Sequence, residues 1–127
     1  MRRRRAGVKL DPKIEKARKS AERWELDLLV PDDLSCLPGH FPDFPVVPGV
    51  LQLDWVIAFA FEWRGSEPRS LRVEGLKFKR PLLPGQRATL TLEADSSLDR
   101  FRFRLTEGDE VFSLGRLDCS DVEEGGA

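Results

Sequence analysis

Histidine occurs once in this chain, at His40, inside a stretch dense in proline and glycine: Pro38, Gly39, Pro42, Pro45, Pro48 and Gly49. Imidazole, with an unperturbed pKa near ~6.5, is the natural base at neutral pH, and loops of this kind aim side chains at ligands. A lone histidine is more often a structural residue, so His40 gains meaning only from its neighbours. Fourteen positions on, Asp54 interrupts an apolar run, among Leu51, Leu53, Trp55, Val56, Ile57 and Phe59. A dry carboxylate needs a proton or a partner; the bland alternatives are an acid that reaches solvent or one paired with an arginine. Between the two, Pro48-Gly49 opens a helix whose first N–H groups have no internal acceptor. Those donors and the positive helix end suit a carbonyl oxygen on which charge builds. A base, an acid and an oxyanion site are what proton abstraction beside a carbonyl requires.

The elements that must position these groups follow from periodicity. Gly49 to Trp63 is apolar nearly all round, so such a helix is expected to be enclosed by the rest of the domain, and Arg64-Gly65-Ser66 stops it. Before it, Trp24 to Val30 alternates apolar and acidic residues as a half-buried strand does, ended by Pro31-Asp32-Asp33. Residues 12 to 23 fit either a helix face through Ile14 and Ala17 or a short strand turning near Ser20-Ala21. After the helix, strands are expected over Ser70 to Arg80, Arg87 to Ala94, Arg100 to Thr106 and Val111 to Asp118. The short turns between them imply antiparallel neighbours. In Arg100-Phe-Arg-Phe-Arg-Leu the alternation places three arginines on a wet face and Phe101, Phe103 and Leu105 on a dry one. One buried helix against a curled antiparallel sheet is an α+β plan. The chain divides into a basic arm with the first element over 1–23, a domain over 24–118 and a tail over 119–127.

Composition bounds the function. At 127 residues, 40% hydrophobic and 34% charged, the chain has the size and balance of one globular domain. No unbroken apolar run approaches the ~20 residues of a bilayer span. Arg2 to Arg5 are not followed by the apolar centre of a signal peptide, so a cytoplasmic address is expected. Cys36 and Cys119 suggest free thiols rather than a disulfide framework. Residues 1 to 23 carry ten Lys or Arg against three acids, net +7, and the remainder eleven against nineteen, net −8. A basic arm can attract nucleic acid, anionic lipid or an acidic protein, although such runs are usually only solvated. No phosphate loop, Cys/His metal spacing or Gly-x-Ser-x-Gly elbow is present, which removes the usual support for phosphoryl transfer, zinc chemistry and serine hydrolysis.

The string Gly39-His-Phe-Pro-Asp-Phe-Pro-Val-Val-Pro-Gly-Val-Leu-Gln-Leu-Asp54 resembles the active-site segment of the 3-hydroxyacyl-acyl-carrier-protein dehydratases. His-Phe-Pro, Pro-Gly-Val-Leu and an acid fourteen residues after the histidine match that family's spacing, and Leu76-Lys-Phe-Lys-Arg-Pro-Leu-Leu-Pro-Gly85 is similar to its strand and turn near the acyl tunnel. The likeness extends over roughly residues 24 to 118 and is greatest to the short branch associated with aryl polyene pathways. The family's usual opening segment is absent, and no tyrosine is available as a tunnel gate.

The resemblance implies a hotdog fold, a long helix wrapped by a curled sheet, in a homodimer that shares its active sites, with further assembly open. It implies dehydration of a 3-hydroxyacyl group on acyl carrier protein, with His40 taking the C2 proton and Asp54 orienting or protonating the departing C3 hydroxyl. The N–H of Gly49, with that of Val50, would hold the thioester oxygen. Phe41, Pro42, Val47, Phe78, Lys79 and Arg80 are the expected tunnel and carrier contacts, joined for the carrier by Lys77 and the basic arm. No cofactor or metal is expected. The competing readings are a hotdog thioesterase and a non-catalytic acyl-thioester binding module; a nucleic-acid binder has only the charge run behind it.

Overall fold

The computed structural model describes residues 11–32 and 46–120. Of the two readings open for residues 12 to 23, the strand is the one adopted. Strand β1 (Lys13–Lys19) turns through Ser20 to Glu22 into β2 (Arg23–Leu29), the turn closed by the Ser20 N–H on the Arg23 carbonyl at 2.8 Å. Leu26 and Leu28 of β2 are buried, while Glu25 and Asp27 sit on the other face beside Arg18 of β1. Helix α1 (Gly49–Arg64) ends at Gly65, whose φ of 87° is a left-handed cap that costs glycine nothing, with its N–H on the Phe61 carbonyl at 2.8 Å. Four strands follow: β3 (Arg72–Phe78), β4 (Arg87–Ala94), β5 (Arg100–Glu107) and β6 (Glu110–Asp118).

All six strands form one antiparallel sheet in the order β1-β2-β4-β5-β6-β3. The expectation that strands joined by short connections lie side by side holds for β4, β5 and β6 but not for β3 and β4. The chain leaves β3 at one edge, beside β6, and the segment Lys79 to Gln86 carries it across to β4 beside β2. β3 therefore keeps one backbone edge unpaired among the described residues.

The dry face is as the alternation requires. Phe101, Phe103 and Leu105 are buried with Leu90, Leu92 and Leu117, while Arg100, Arg102 and Arg104 face outward. Each large apolar side chain removed from water contributes roughly 1.5–3 kcal/mol, so this face is what holds the helix. Leu51, Gln52, Trp55, Val56, Phe59 and Ala60 are the helix residues buried against it. An aromatic chain locks the far end of the helix: Trp24 meets Phe59 edge-on with centroids 5.9 Å apart and Trp63 at 6.1 Å, and Trp63 meets Phe101 at 5.9 Å. The Lys19 ammonium caps the cluster 4.3 Å from the Trp24 ring centroid.

The helix is not enclosed on every side, contrary to the sequence expectation. One sheet covers one helical face, and the opposite face, Val50, Leu53, Asp54, Ile57, Ala58 and Phe61, remains wholly or partly open, with Val50 76% exposed.

Candidate functional site at the start of the helix

Pro48 precedes the helix with φ −59° and ψ 144°, conformations that proline adopts without strain. Its carbonyl accepts from the N–H groups of Leu51 at 3.0 Å and Gln52 at 3.1 Å. The N–H groups of Gly49 and Val50 have no acceptor among the described residues. Among the described residues no side chain caps this terminus and its first turn contains no acid, so nothing described there offsets its partial positive charge.

Two tethers fix the turn that presents these donors. The Val47 N–H donates to the Leu82 carbonyl at 2.7 Å, tying the approach to the helix onto the turn after β3. Gln52 donates its side-chain N–H to the Val47 carbonyl at 3.2 Å. Val47 and Leu82 are both buried, so the expected tunnel residue Val47 is part of the core that supports the turn.

Asp54 lies one turn beyond Val50 on the same open face. It is exposed in the single chain and has neither a cation nor a hydrogen-bond donor among the described residues. The dry setting expected for it is therefore not supplied by its own sheet; the reason is helical phase, which sets Asp54 roughly opposite the buried Gln52. Of the bland alternatives, the carboxylate that reaches solvent describes the single chain, and no arginine pair is formed among the described residues. His40, Phe41 and Pro42, and with them Cys36, lie outside the described residues, so the expected meeting of His40 with Asp54 does too.

Phe78, at the end of β3, stands opposite the buried Ser113 of β6 and thus points to the helix side of the sheet. The tip of its ring reaches Gly49: a Cβ built on Gly49 would stand 2.7 Å from Phe78 Cζ and 2.9 Å from each Cε. Lys79 and Arg80 are exposed beyond it, but Arg80 forms an ion pair with Glu110 and is committed within the chain. No group of three or more His, Cys, Asp or Glu among the described residues is placed to hold a metal, and no described helix is long and apolar enough to cross a membrane. Two depressions, of about 400 and 160 Å³, lie elsewhere on the sheet and include no residue of α1.

Sequence reasoning passed over two partners in this arrangement, Gln52 and Leu82. Gln52 is 3% exposed and its side-chain oxygen is buried without a donor among the described residues. A signal existed: in the helix it shares the phase of Trp55, Val56 and Phe59 and is the polar member of that inward row. Nothing local in the sequence identifies Leu82 as a backbone acceptor.

Residues 16–116 match the family model described as ApeI-like, ApeI dehydratase. The chain belongs to the ApeI-like dehydratase family. A 3-hydroxyacyl-[acyl-carrier-protein] dehydratase FabZ of Polynucleobacter asymbioticus is 30% identical over 97 residues, covering 68% of this chain and 65% of that protein. The chain thus spans a little under two thirds of the length of that curated relative. Among solved structures, the dehydratase heterocomplex ApeI:P from Xenorhabdus doucetiae superposes with a TM-score of 0.69 at 29% identity, over 87% of this chain and 99% of that one. The dehydratase domain of the polyketide PpsC from Mycobacterium tuberculosis, at 16% identity and a TM-score of 0.63, shares the fold, over 87% of this chain and 44% of that one. The helix-in-sheet architecture is the hotdog fold that the motif string implied.

Proposed function

We propose that this chain dehydrates a 3-hydroxyacyl thioester carried on acyl carrier protein to the trans-2-enoyl thioester, in fatty-acid or specialised lipid synthesis. The observation that carries the reading is the helix start, where two N–H groups without an acceptor among the described residues and the Asp54 carboxylate one turn away share one open face. His40 removes the proton from C2, and electron density moves onto the thioester oxygen held by the Gly49 and Val50 N–H groups. The C2–C3 double bond forms as the C3–O bond breaks, and Asp54 orients the hydroxyl or delivers the proton that lets it leave as water. Proton transfer by a positioned group contributes about 10²–10⁴-fold and an oxyanion donor about 10²–10³-fold. None of these steps calls for a metal or organic cofactor.

The active unit in this reading is a homodimer. An apolar helix face interrupted by Asp54 and the edge of β3 left unpaired among the described residues both favour a second copy, which would cover the face and turn Asp54 from a solvated acid into a site residue. His40 of one copy would then serve with Asp54 of the other. Lys77 and Lys79, exposed near the helix start, are the basic residues offered to an acidic carrier, since Arg80 is engaged by Glu110.

The test follows enoyl thioester formation from a 3-hydroxyacyl N-acetylcysteamine thioester, and then from the carrier-bound form, in wild type, His40→Ala and Asp54→Asn, with dimer mass measured alongside. Loss of about 10²-fold or more in both folded variants supports the reading. Release of free thiol indicates a thioesterase instead, and binding without turnover a non-catalytic module.

A further inference from the structure

The glycine that opens the helix is not there for its backbone. Gly49 does not lie in the left-handed region, as Gly65, Gly75, Gly85 and Gly108 do, so its conformation would accept alanine at little cost. A side chain there would meet Phe78, whose Cζ, Cε1 and Cε2 all fall inside 3.0 Å of the position a Cβ would take, so the ring would have to move. The ring is therefore end-on, its tip resting on the Gly49 Cα, with 49% of the residue still exposed.

This places an apolar stop beside the two N–H groups at the helix start that have no acceptor among the described residues. Among the described residues no side chain caps them, and the first turn has no acid. We propose that Phe78 is a positioning residue for the dehydration, its ring tip confining the acyl thioester so that the carbonyl oxygen lies against the Gly49 and Val50 N–H groups; Gly49 is glycine because Phe78 fills its side-chain space. The inference rests on the thioester reading above. Donors of this kind act on the transition state only when the reacting oxygen is held to within a fraction of an ångström. A phenyl ring suits the task, because it has two side-chain torsions and is stiff beyond them.

The relation is reciprocal, which makes it testable by a two-residue cycle. Gly49→Ala forces the ring aside and is expected to lower kcat by about a hundredfold, the scale of a misplacement near 1 Å. Phe78→Ala withdraws the stop and is expected to lower kcat by about tenfold, with KM changed less than threefold. In the double variant the alanine at 49 no longer meets a ring, so turnover should return to the level of Phe78→Ala alone. Multiplication of the two single losses would overturn the proposal, as would a Phe78→Ala effect confined to KM. Dimer mass and melting temperature are followed in each variant. Where Phe78→Ala does not assemble, Phe78→Leu, which keeps the apolar edge but shortens the reach, takes its place.

Failure of the dehydratase reading would look different. Wild type would form no enoyl product, and the same cycle would then be read by binding of saturated butyryl-N-acetylcysteamine, monitored by tryptophan emission. Affinity lost in Gly49→Ala and regained in the double variant supports the placement, and absence of binding or of rescue overturns it.

Discussion

Gln52 reaches back from the first turn of α1 to the carbonyl of Val47, 3.2 Å away, while its own side-chain oxygen stays buried without a donor among the described residues. Replacing it with alanine strips Val47 of its donor and leaves a cavity. Loss of a buried partner costs about 1–3 kcal/mol, so Gln52→Ala should lower the urea midpoint by that much stability. Gln52→Met, which fills the space and removes the orphaned oxygen, should cost less. An equal loss in both variants would show that the Val47 hydrogen bond, not packing, governs this turn.

The open helix face should set the oligomeric state. Ile57 is half-buried in the single chain, between Leu53 and Phe61 on that face. Ile57→Arg puts a charge where a second copy would pack, and burying it unpaired would cost several kcal/mol. Sedimentation equilibrium is expected to show a dimer for wild type and a monomer for Ile57→Arg. Turnover should fall with dimer content, since each proposed site needs both chains.

A different outcome is expected on the sheet's outer face, where Arg102 of β5 stands directly opposite Arg116 of β6. Arg102 has no ion pair among the described residues, although its other cross-strand neighbour is Glu93. Like charges directly opposite are destabilising, by roughly 0.2–1 kcal/mol. Arg102→Thr should therefore raise the melting temperature slightly at low salt, and the gain should shrink as ionic strength rises.

Asp118 should dominate the acid limb of stability. Hydrogen bonds from the Ser120 hydroxyl and N–H, aided by Arg72, hold its carboxyl at about 2 against an ordinary 3.8. A carboxyl lowered by folding stabilises the native state above its unfolded value, and that contribution fades as pH falls from about 4 towards 2. Asp118→Asn should thus be less stable than wild type at pH 6 to 7, and the two denaturation midpoints should converge by about pH 2. A constant gap across that range would assign the effect to packing instead.

How much of this was legible depended on range. Period-2 alternation in β5 and the apolar–acidic alternation of β2 gave both strands and their dry faces, because each pattern is written in neighbouring residues. The ends of α1 were equally plain, since Pro48 and Gly65 act on the backbone where they stand. The crossover from β3 to β4 was not legible: a connection of Lys79 to Gln86 permits a neighbouring pair, and only the global sheet decides otherwise. The exposure of Asp54 was misjudged for a related reason. An all-round apolar composition hid a two-faced helix, one face meeting the sheet and the other open in the single chain. The motif string brought His40, Gly49 and Asp54 to notice together, whereas the steric dependence of Gly49 on Phe78 spans β3 and α1 and has no sequence signature.

The aromatic cluster under Lys19 has a practical consequence. With no tyrosine in the chain, near-ultraviolet emission comes almost wholly from Trp24, Trp55 and Trp63. Two of these belong to α1, and the third is packed against it from β2. Intrinsic emission is thus a built-in gauge of whether the helix is seated in its sheet, and an acyl chain arriving beside that helix should be visible without any added label.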